Sequence, residues 1–487
     1  MGIVIKQSFK NTLIIFLGFA IGGLNVLFLF THFLDKDYYG LITFLLSAAN
    51  IVLPLMVLGM QHTVVKFYSS YRDKELQDGF LITSLLLPLL VIIPVGIFGM
   101  FAYEYMADLI SVQNPIIKKY TYLIFLVSIF MGYFEVFYAW TKVQFQSVVG
   151  NFIKEVFVRF MTSILLMAVY FGWLTNEQFI YAVICVYFLQ VLVMFLYAIT
   201  VYKPKFKLVI PPNIKEILSF SAYIIMAGSA GTILLEIDKF MIPQMKQIAE
   251  VAYYSVGIYI ATVVALPTRA MQQIITPITA KELNENNLSE VEKLYKSSSI
   301  NLLIIGGLLF LLINLNLADM YLIINKPEFA NGFWIVLFIS MAKLYEMALG
   351  TGNAIISNSA YYRIYFYLSL AMALAVIFLN KWLIGLLGID GAAIATFLVV
   401  FLFNTIKIFF IRLKFDVQPF SINSVKMVLV TTILLLLFLK VEFTFNPFIS
   451  IILKSSIIGI LYFIIVYFWK LSAEFNGFVN KIIKTCL

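Results

Sequence analysis

The sequence predicts an all-α membrane protein of about 14 transmembrane helices, with two pseudo-repeated six-helix lobes and two additional C-terminal helices. Three observations carry this reading. A helix crossing ~30 Å of hydrocarbon needs roughly 20 apolar residues. Stretches of that kind fall at about 11–33, 40–63, 80–103, 119–140, 153–173, 178–200, 215–236, 251–276, 298–318, 331–352, 362–386, 390–411, 425–442 and 448–469. The chain is 62% hydrophobic and 12% charged, with a mean hydropathy of +0.98, whereas a soluble globular protein carries roughly 25% charged residues. The third observation is the distribution of cations. With the N-terminus placed in the cytoplasm and sides alternating at each span, 23 lysines and arginines fall on cytoplasmic segments, Lys142, Lys203, Lys207, Lys407 and Arg412 among them, and 8 on outer segments. Positive residues accumulate on the cytoplasmic side, so both termini are expected there.

That sidedness also explains the net charge of +9 without a nucleic-acid partner. The first stretch follows Lys6 and Lys10 as a leader would, but it lacks a small-residue cleavage site and is expected to be a retained helix. The longest polar connections, 65–79, 201–215 and 278–297, are all cytoplasmic, and the last is expected to form a short amphipathic surface helix. Cys185 and Cys486 offer no useful staple, and His32 and His62 are too few and too isolated for a metal site. No metal or cofactor is expected. No P-loop, H-E-x-x-H or G-x-S-x-G occurs, so the chain is not expected to be an enzyme. Active transport would then draw on an ion gradient or on that of the substrate.

A weak internal repeat organises the chain. Asp37-Tyr38-Tyr39-Gly40 precedes an apolar run reaching Pro54, and Ala252-Tyr253-Tyr254-Ser255-Val256-Gly257 precedes one reaching Pro267. Both lie on outer loops leading into inward-going spans, as in transporters built from parallel repeats. The expected division is 1–212 for the first lobe, 213–415 for the second, and 416–487 for two further helices and a tail.

Charges inside the spans are the candidate functional residues, because each costs at least ~2.5–3.5 kcal/mol at mid-membrane and should face the bundle interior or a wet cavity. Arg269 follows Pro267, whose missing N–H should bend the span, and has no acid at i±3 or i±4. Lys343 and Glu346 share one helical face. Lys154, Glu155 and Arg159 lie near the cytoplasmic start of span 5, Glu135 is in span 4, Glu236 and Asp238-Lys239 close span 7, and Lys454 is in span 14. Structural readings stand beside the functional ones. Lys154, Glu155 and Arg159 form a set suited to snorkelling and a helical ion pair. Lys343 and Glu346 can neutralise each other, and Lys454 in a peripheral helix is expected to snorkel. Glu135 either pairs with a cation across the bundle or carries a coupling proton. The aromatics Tyr133, Phe134, Phe137 and Tyr138 are expected to pack, and with Asn353 and Asn358 they are the alternative sugar contacts. An excess of cation over acid in a wet cavity suits an anionic ligand, since a phosphate taken out of water needs charge compensation and N–H donors.

Three stretches then resemble the polysaccharide-flippase family of the multidrug/oligosaccharidyl-lipid/polysaccharide exporter superfamily. They are Phe33-Leu34-Asp35-Lys36-Asp37-Tyr38-Tyr39-Gly40-Leu41, the run from Asp238-Lys239-Phe240-Met241-Ile242-Pro243 to Ala252-Tyr253-Tyr254-Ser255-Val256-Gly257-Ile258-Tyr259, and Leu379-Asn380 followed by Leu387-Gly388-Ile389-Asp390-Gly391-Ala392-Ala393-Ile394-Ala395-Thr396. With the span count, the resemblance covers essentially the whole chain. It implies translocation of a polyprenyl-pyrophosphate-linked oligosaccharide (an O-antigen, capsule or exopolysaccharide repeat unit) across the bacterial inner membrane by alternating access. The partners implied are that substrate, membrane lipid, a coupling proton or sodium ion, and a polysaccharide polymerase. Arg269, Lys343, Arg159 and Lys154 are the expected substrate-binding cations, with Glu135, Asp238 and Glu346 as coupling or counter-charge groups. The alternative is a cation-coupled multidrug exporter of the same superfamily.

Overall fold

The computed structural model describes residues 2–206 and 211–486, with the side chains of 2–6, 8, 9, 227, 331, 362, 478 and 482–486 excepted. Lys207, and the side chains of Lys6, Lys484 and Cys486, lie outside the described residues. Every regular element among the described residues is helical. The helices are α1 (Lys10–Phe33), α2 (Lys36–Met56), α3 (Lys74–Ser111), α4 (Ile116–Val143), α5 (148–170), α6 (Asn176–Val201), α7 (Ile214–Met245), α8 (Ala249–Asn284), α9 (Leu288–Leu315), α10 (Phe333–Ala348), α11 (Arg363–Leu387), α12 (Ile389–Phe415), α13 (Ile422–Phe438) and α14 (Pro447–Phe468). Eleven of them are long and apolar enough to cross a bilayer. The other three expected spans are helices of a different kind: α5 carries Lys154, Glu155 and Arg159, α10 has 16 residues, and α13 has 17.

The chain divides into two compact units, Met1–Ser255 and Val256–Leu487. In the first, α4 is flanked by α2 and α6, and α7 packs on α2. A run of aromatics fills this core: Phe67, Tyr68, Phe80, Phe134, Phe137, Tyr138 and Trp140 are all buried. The span-4 aromatics therefore pack, as expected, and Tyr133 donates its hydroxyl to the Leu85 carbonyl at 3.0 Å.

The tyrosine motifs set the tightest joint in this unit. Asp35 caps α2 by accepting from the Asp37 N–H at 2.9 Å. One turn on, a Cβ at Gly40 would stand 2.0 Å from the Ile248 carbonyl oxygen, so only glycine lets the two backbones meet. Asn114 holds the same turn, its amide donating to the carbonyls of Pro243 and Lys246 at 2.7 Å each and its oxygen accepting from the Ile248 N–H at 2.9 Å. Asp238, 4% exposed, accepts the hydroxyl of the fully buried Tyr254.

Proline interrupts helices where the sequence implied. Just after Pro54 the backbone turns through positive φ at Leu58 and Gly59 before a short helix, Met60–Phe67. In α8 a 3-10 turn, Val263–Ala265, precedes Pro267. The 278–297 connection forms no separate surface helix. Its residues instead extend α8 to Asn284 and begin α9 at Leu288, because Asn287 caps the new helix by accepting from the Glu290 N–H at 3.3 Å.

In the second unit α10 packs between α9 and α12, α11 packs on α12, and α13 lies on α9. The glycine-alanine motif forms the α11–α12 turn, where a Cβ at Gly391 would stand 2.0 Å from the Leu383 carbonyl oxygen. The last two helices are fastened by polar groups. Lys454 is 5% exposed rather than snorkelling: its Nζ lies 3.6 Å from Asp319 and donates to the Leu315 carbonyl at 3.1 Å. Ser450 donates to the same aspartate at 2.7 Å. Tyr462 donates to the Ile304 carbonyl at 2.6 Å. Beyond α14, Glu474 accepts from Ser297, and that bond holds its carboxyl below the usual range despite partial burial.

Removing one partner of a buried pair strands the other charge at about 3–5 kcal/mol. Asp319→Asn should therefore lower the thermal midpoint of the purified protein strongly, while Asp319→Leu with Lys454→Met should recover most of it. A double variant as unstable as the single one would show that the pair does not fasten α14.

Candidate functional site

The sequence-selected charges are spread over both units, with Asp238 on Tyr254 and Lys454 beside Asp319. In the first unit, Lys154 on α5 reaches across to Glu135 on α4, Nζ to Oε1 at 2.6 Å. The glutamate therefore has its cation on a neighbouring helix. Lys142 stands over the Tyr138 ring at 3.8 Å. Arg159 is held by its own helix, Nη1 donating to the Glu155 carbonyl and carboxylate at 2.8 Å each. Its carbonyl accepts from Asn25 of α1 at 2.8 Å, and Asn25 in turn accepts from Ser163 at 2.6 Å. Asn25 and Lys154 both lie in π-helical turns, Asn25–Leu29 and Ile153–Phe157. Such turns widen a helix by one residue and turn side chains toward a neighbour. Glu236 and Lys239 pair on α7 at 2.5 Å.

The second unit holds a cavity of about 340 Å³. Its walls are α8 (Met271, Gln272, Ile275, Thr276), α9 (Ser298, Leu302), α10 (Glu346), the turn at Gly350 and Thr351 with the short helix Gly352–Ser357 that follows it, and Tyr365 of α11. Amides and hydroxyls dominate the polar lining. The turn is stitched to α9: the Thr351 N–H donates to Ser298 at 3.1 Å and Ser299 donates to the Ala348 carbonyl at 2.6 Å. Thr351 also shares a hydroxyl bond with Thr279 of α8 at 2.8 Å.

Three sequence-selected residues belong to this region. Lys343 donates to Glu346 Oε2 at 3.0 Å, so the acidic wall residue is neutralised on its own helix. Arg269 is exposed, has no ion-pair partner among the described residues, and lies one and two turns before the lining residues Gln272 and Thr276 on the same helical face. A third cation was not anticipated. Lys407 of α12, counted by sequence among the cations of the cytoplasmic segments, is 5% exposed. Its Nζ donates to Asn353 Oδ1 at 3.2 Å and stands 5.2 Å from the centre of the Tyr365 ring, and both of these residues line the cavity. The signal was present in the sequence, because Lys407 shares the buried stripe of Val400, Asn404 and Ile411. Asn358 turns back on its own helix, donating to the Ala354 carbonyl at 2.9 Å.

The Glu135–Lys154 contact should show in a double-mutant cycle of Glu135→Ala and Lys154→Ala on thermal unfolding. Coupling of about 0.5–1 kcal/mol is expected for this half-exposed pair, and additive effects would leave it without energetic content.

Comparison with known proteins places this architecture. No curated protein sequence matches the chain. The solved structure of the lipid II flippase MurJ in an inward closed conformation is similar with a TM-score of 0.74 at 14% identity, covering 95% of this chain and 99% of that one. An inward-facing multidrug resistance MATE transporter of the MOP superfamily gives 0.62 at 13% identity, covering 83% and 94%. A MOP superfamily transporter from Pyrococcus furiosus Vc1 gives 0.56 at 13%, covering 84% and 96%. These likenesses establish a fold shared by flippases and transporters. The family described as polysaccharide biosynthesis protein matches residues 8–281, more than half of the sequence. The chain is a member of that family, carried on the MurJ- and MATE-like transporter fold.

Proposed function

We propose that the protein is a flippase, not an enzyme, that moves a polyprenyl-pyrophosphate-linked oligosaccharide from the cytoplasmic to the outer leaflet of a bacterial inner membrane. Membership of the polysaccharide biosynthesis family is the observation that carries this reading. On it, lobes 1–212 and 213–415 alternate access, 416–487 widens the second, and both termini stay cytoplasmic. The pyrophosphate and sugars travel through the protein while the polyprenyl tail remains in lipid, which spares the chain from enclosing the tail. A proton or sodium gradient, or the substrate's own, supplies the direction. A polysaccharide polymerase would take the product.

Arg269 is the residue placed against the pyrophosphate, because its guanidinium fork matches phosphate geometry and it has no carboxylate partner among the described residues. Lys343, Lys154 and Arg159 are secondary cations, each already holding an acid, and Glu135, Glu346 and Asp238 are the counter-charges. Glutamates neutralised in this way also weigh against a multidrug exporter, which would need acid available for cationic drugs.

Deleting the gene in its host should abolish the surface polymer and strand the lipid-linked unit on the cytoplasmic face. Unchanged polymer with new sensitivity to cationic drugs would instead favour the exporter. Arg269→Ala, with expression verified, should reduce export by roughly tenfold or more, since bonds to a charged partner contribute about 1.5–3 kcal/mol. Arg269→Lys should retain part of it.

A further inference from the structure

Lys407 is a buried cation without an ion-pair partner among the described residues. An ammonium group has three N–H donors and is costly to hold away from water unless paired. Among the described residues it donates to the neutral amide oxygen of Asn353 and stands beside the face of Tyr365. The nearby carboxylate of Glu346 is already engaged by Lys343 at 3.0 Å. The three ionisable groups Lys343, Glu346 and Lys407 thus sum to one positive charge beside a cavity of about 340 Å³. Gln272, Thr276, Ser298 and Ser357 add hydrogen-bonding groups suited to hydroxyls.

We propose that this cavity is a binding site for an anionic, hydroxyl-bearing group of the translocated molecule, with Lys407 as its counter-ion and Asn353 and Tyr365 holding the ammonium in place. This rests on the lipid-linked oligosaccharide reading only for the source of the anion, which is either the carrier's phosphate or the carboxylate of an acidic sugar. The site lies wholly within the second unit. It is separate in residues from Arg269, so substrate would meet a second cation.

The test is calorimetric titration of the purified full-length protein with inorganic pyrophosphate, glucuronate and glucose. At least one anion should bind, and Lys407→Gln should weaken it tenfold or more, while Lys407→Arg keeps most of it. Asn353→Asp gives Lys407 an internal carboxylate. It should abolish anion binding while leaving the thermal midpoint equal or higher, which guards against mere misfolding. Binding of pyrophosphate alone identifies the carrier as the source, binding of glucuronate alone identifies the sugar, and binding of both keeps the shared chemistry. Absence of binding by either anion, tighter binding of glucose than of the anions, or anion binding unchanged in Lys407→Gln and Asn353→Asp would overturn the proposal. A deletion strain with normal surface polymer, together with Lys407-dependent anion binding, would refute the polysaccharide reading and leave this site standing.

Discussion

Within hydrocarbon there is no water to complete a polar group, so each charge carried by a spanning helix must meet its complement on the protein itself. This constraint orders the interior of both units. Glu135 finds Lys154 across α4 and α5, Lys343 finds Glu346 one turn away, and Lys454 finds Asp319, Ser450 and the Leu315 carbonyl. Backbone groups follow the same rule, and Asn114 satisfies three of them at the turn beside Gly40. Arg269 and Lys407 depart from the rule: neither has an ion-pair partner among the described residues, and both are cations. Both departures lie at or near the walls of the same cavity.

The polar lining of that cavity explains why its frame is built so rigidly. Gly350 adopts positive φ, and the turn that follows it is tied to α8 and α9 by side-chain hydroxyls. A binding surface placed on a free loop would lose the spacing between Asn353, Tyr365 and Lys407. Hydrogen bonds made by threonine and serine hydroxyls, to backbone groups and to each other, fix that spacing without adding charge.

Much of the architecture was legible because run length is a property of the linear chain, and because Gly40 and Gly391 stand in motifs whose close backbone approach demands glycine. The pairing of Lys343 with Glu346 could be read from helical spacing. Lys154 and Glu135 are on different helices, so only an open alternative could be stated for them. Lys454 was misread because it was judged by its distance from a helix end, where lysines usually reach for the interface, and Lys407 was only counted with the cytoplasmic cations. Rotation about the helix axis decides the matter instead. Lys454 shares a face with Ser450, Ile458 and Tyr462, and Lys407 with Val400, Asn404 and Ile411, all of them buried. The 278–297 segment was misread because its charges suggested an interface, whereas the Asn287 cap merely starts the next helix.

The Asp319–Ser450–Lys454 fastening has a consequence for biosynthesis. Ser450 follows Asp319 by 131 residues, and at about 5–20 residues per second a ribosome needs roughly 7–26 s to deliver it. Throughout that interval the aspartate is without its lysine. The second unit therefore completes its packing only once Lys454 has been made, and until then the carboxylate must be shielded by lipid headgroups, water or the insertase itself.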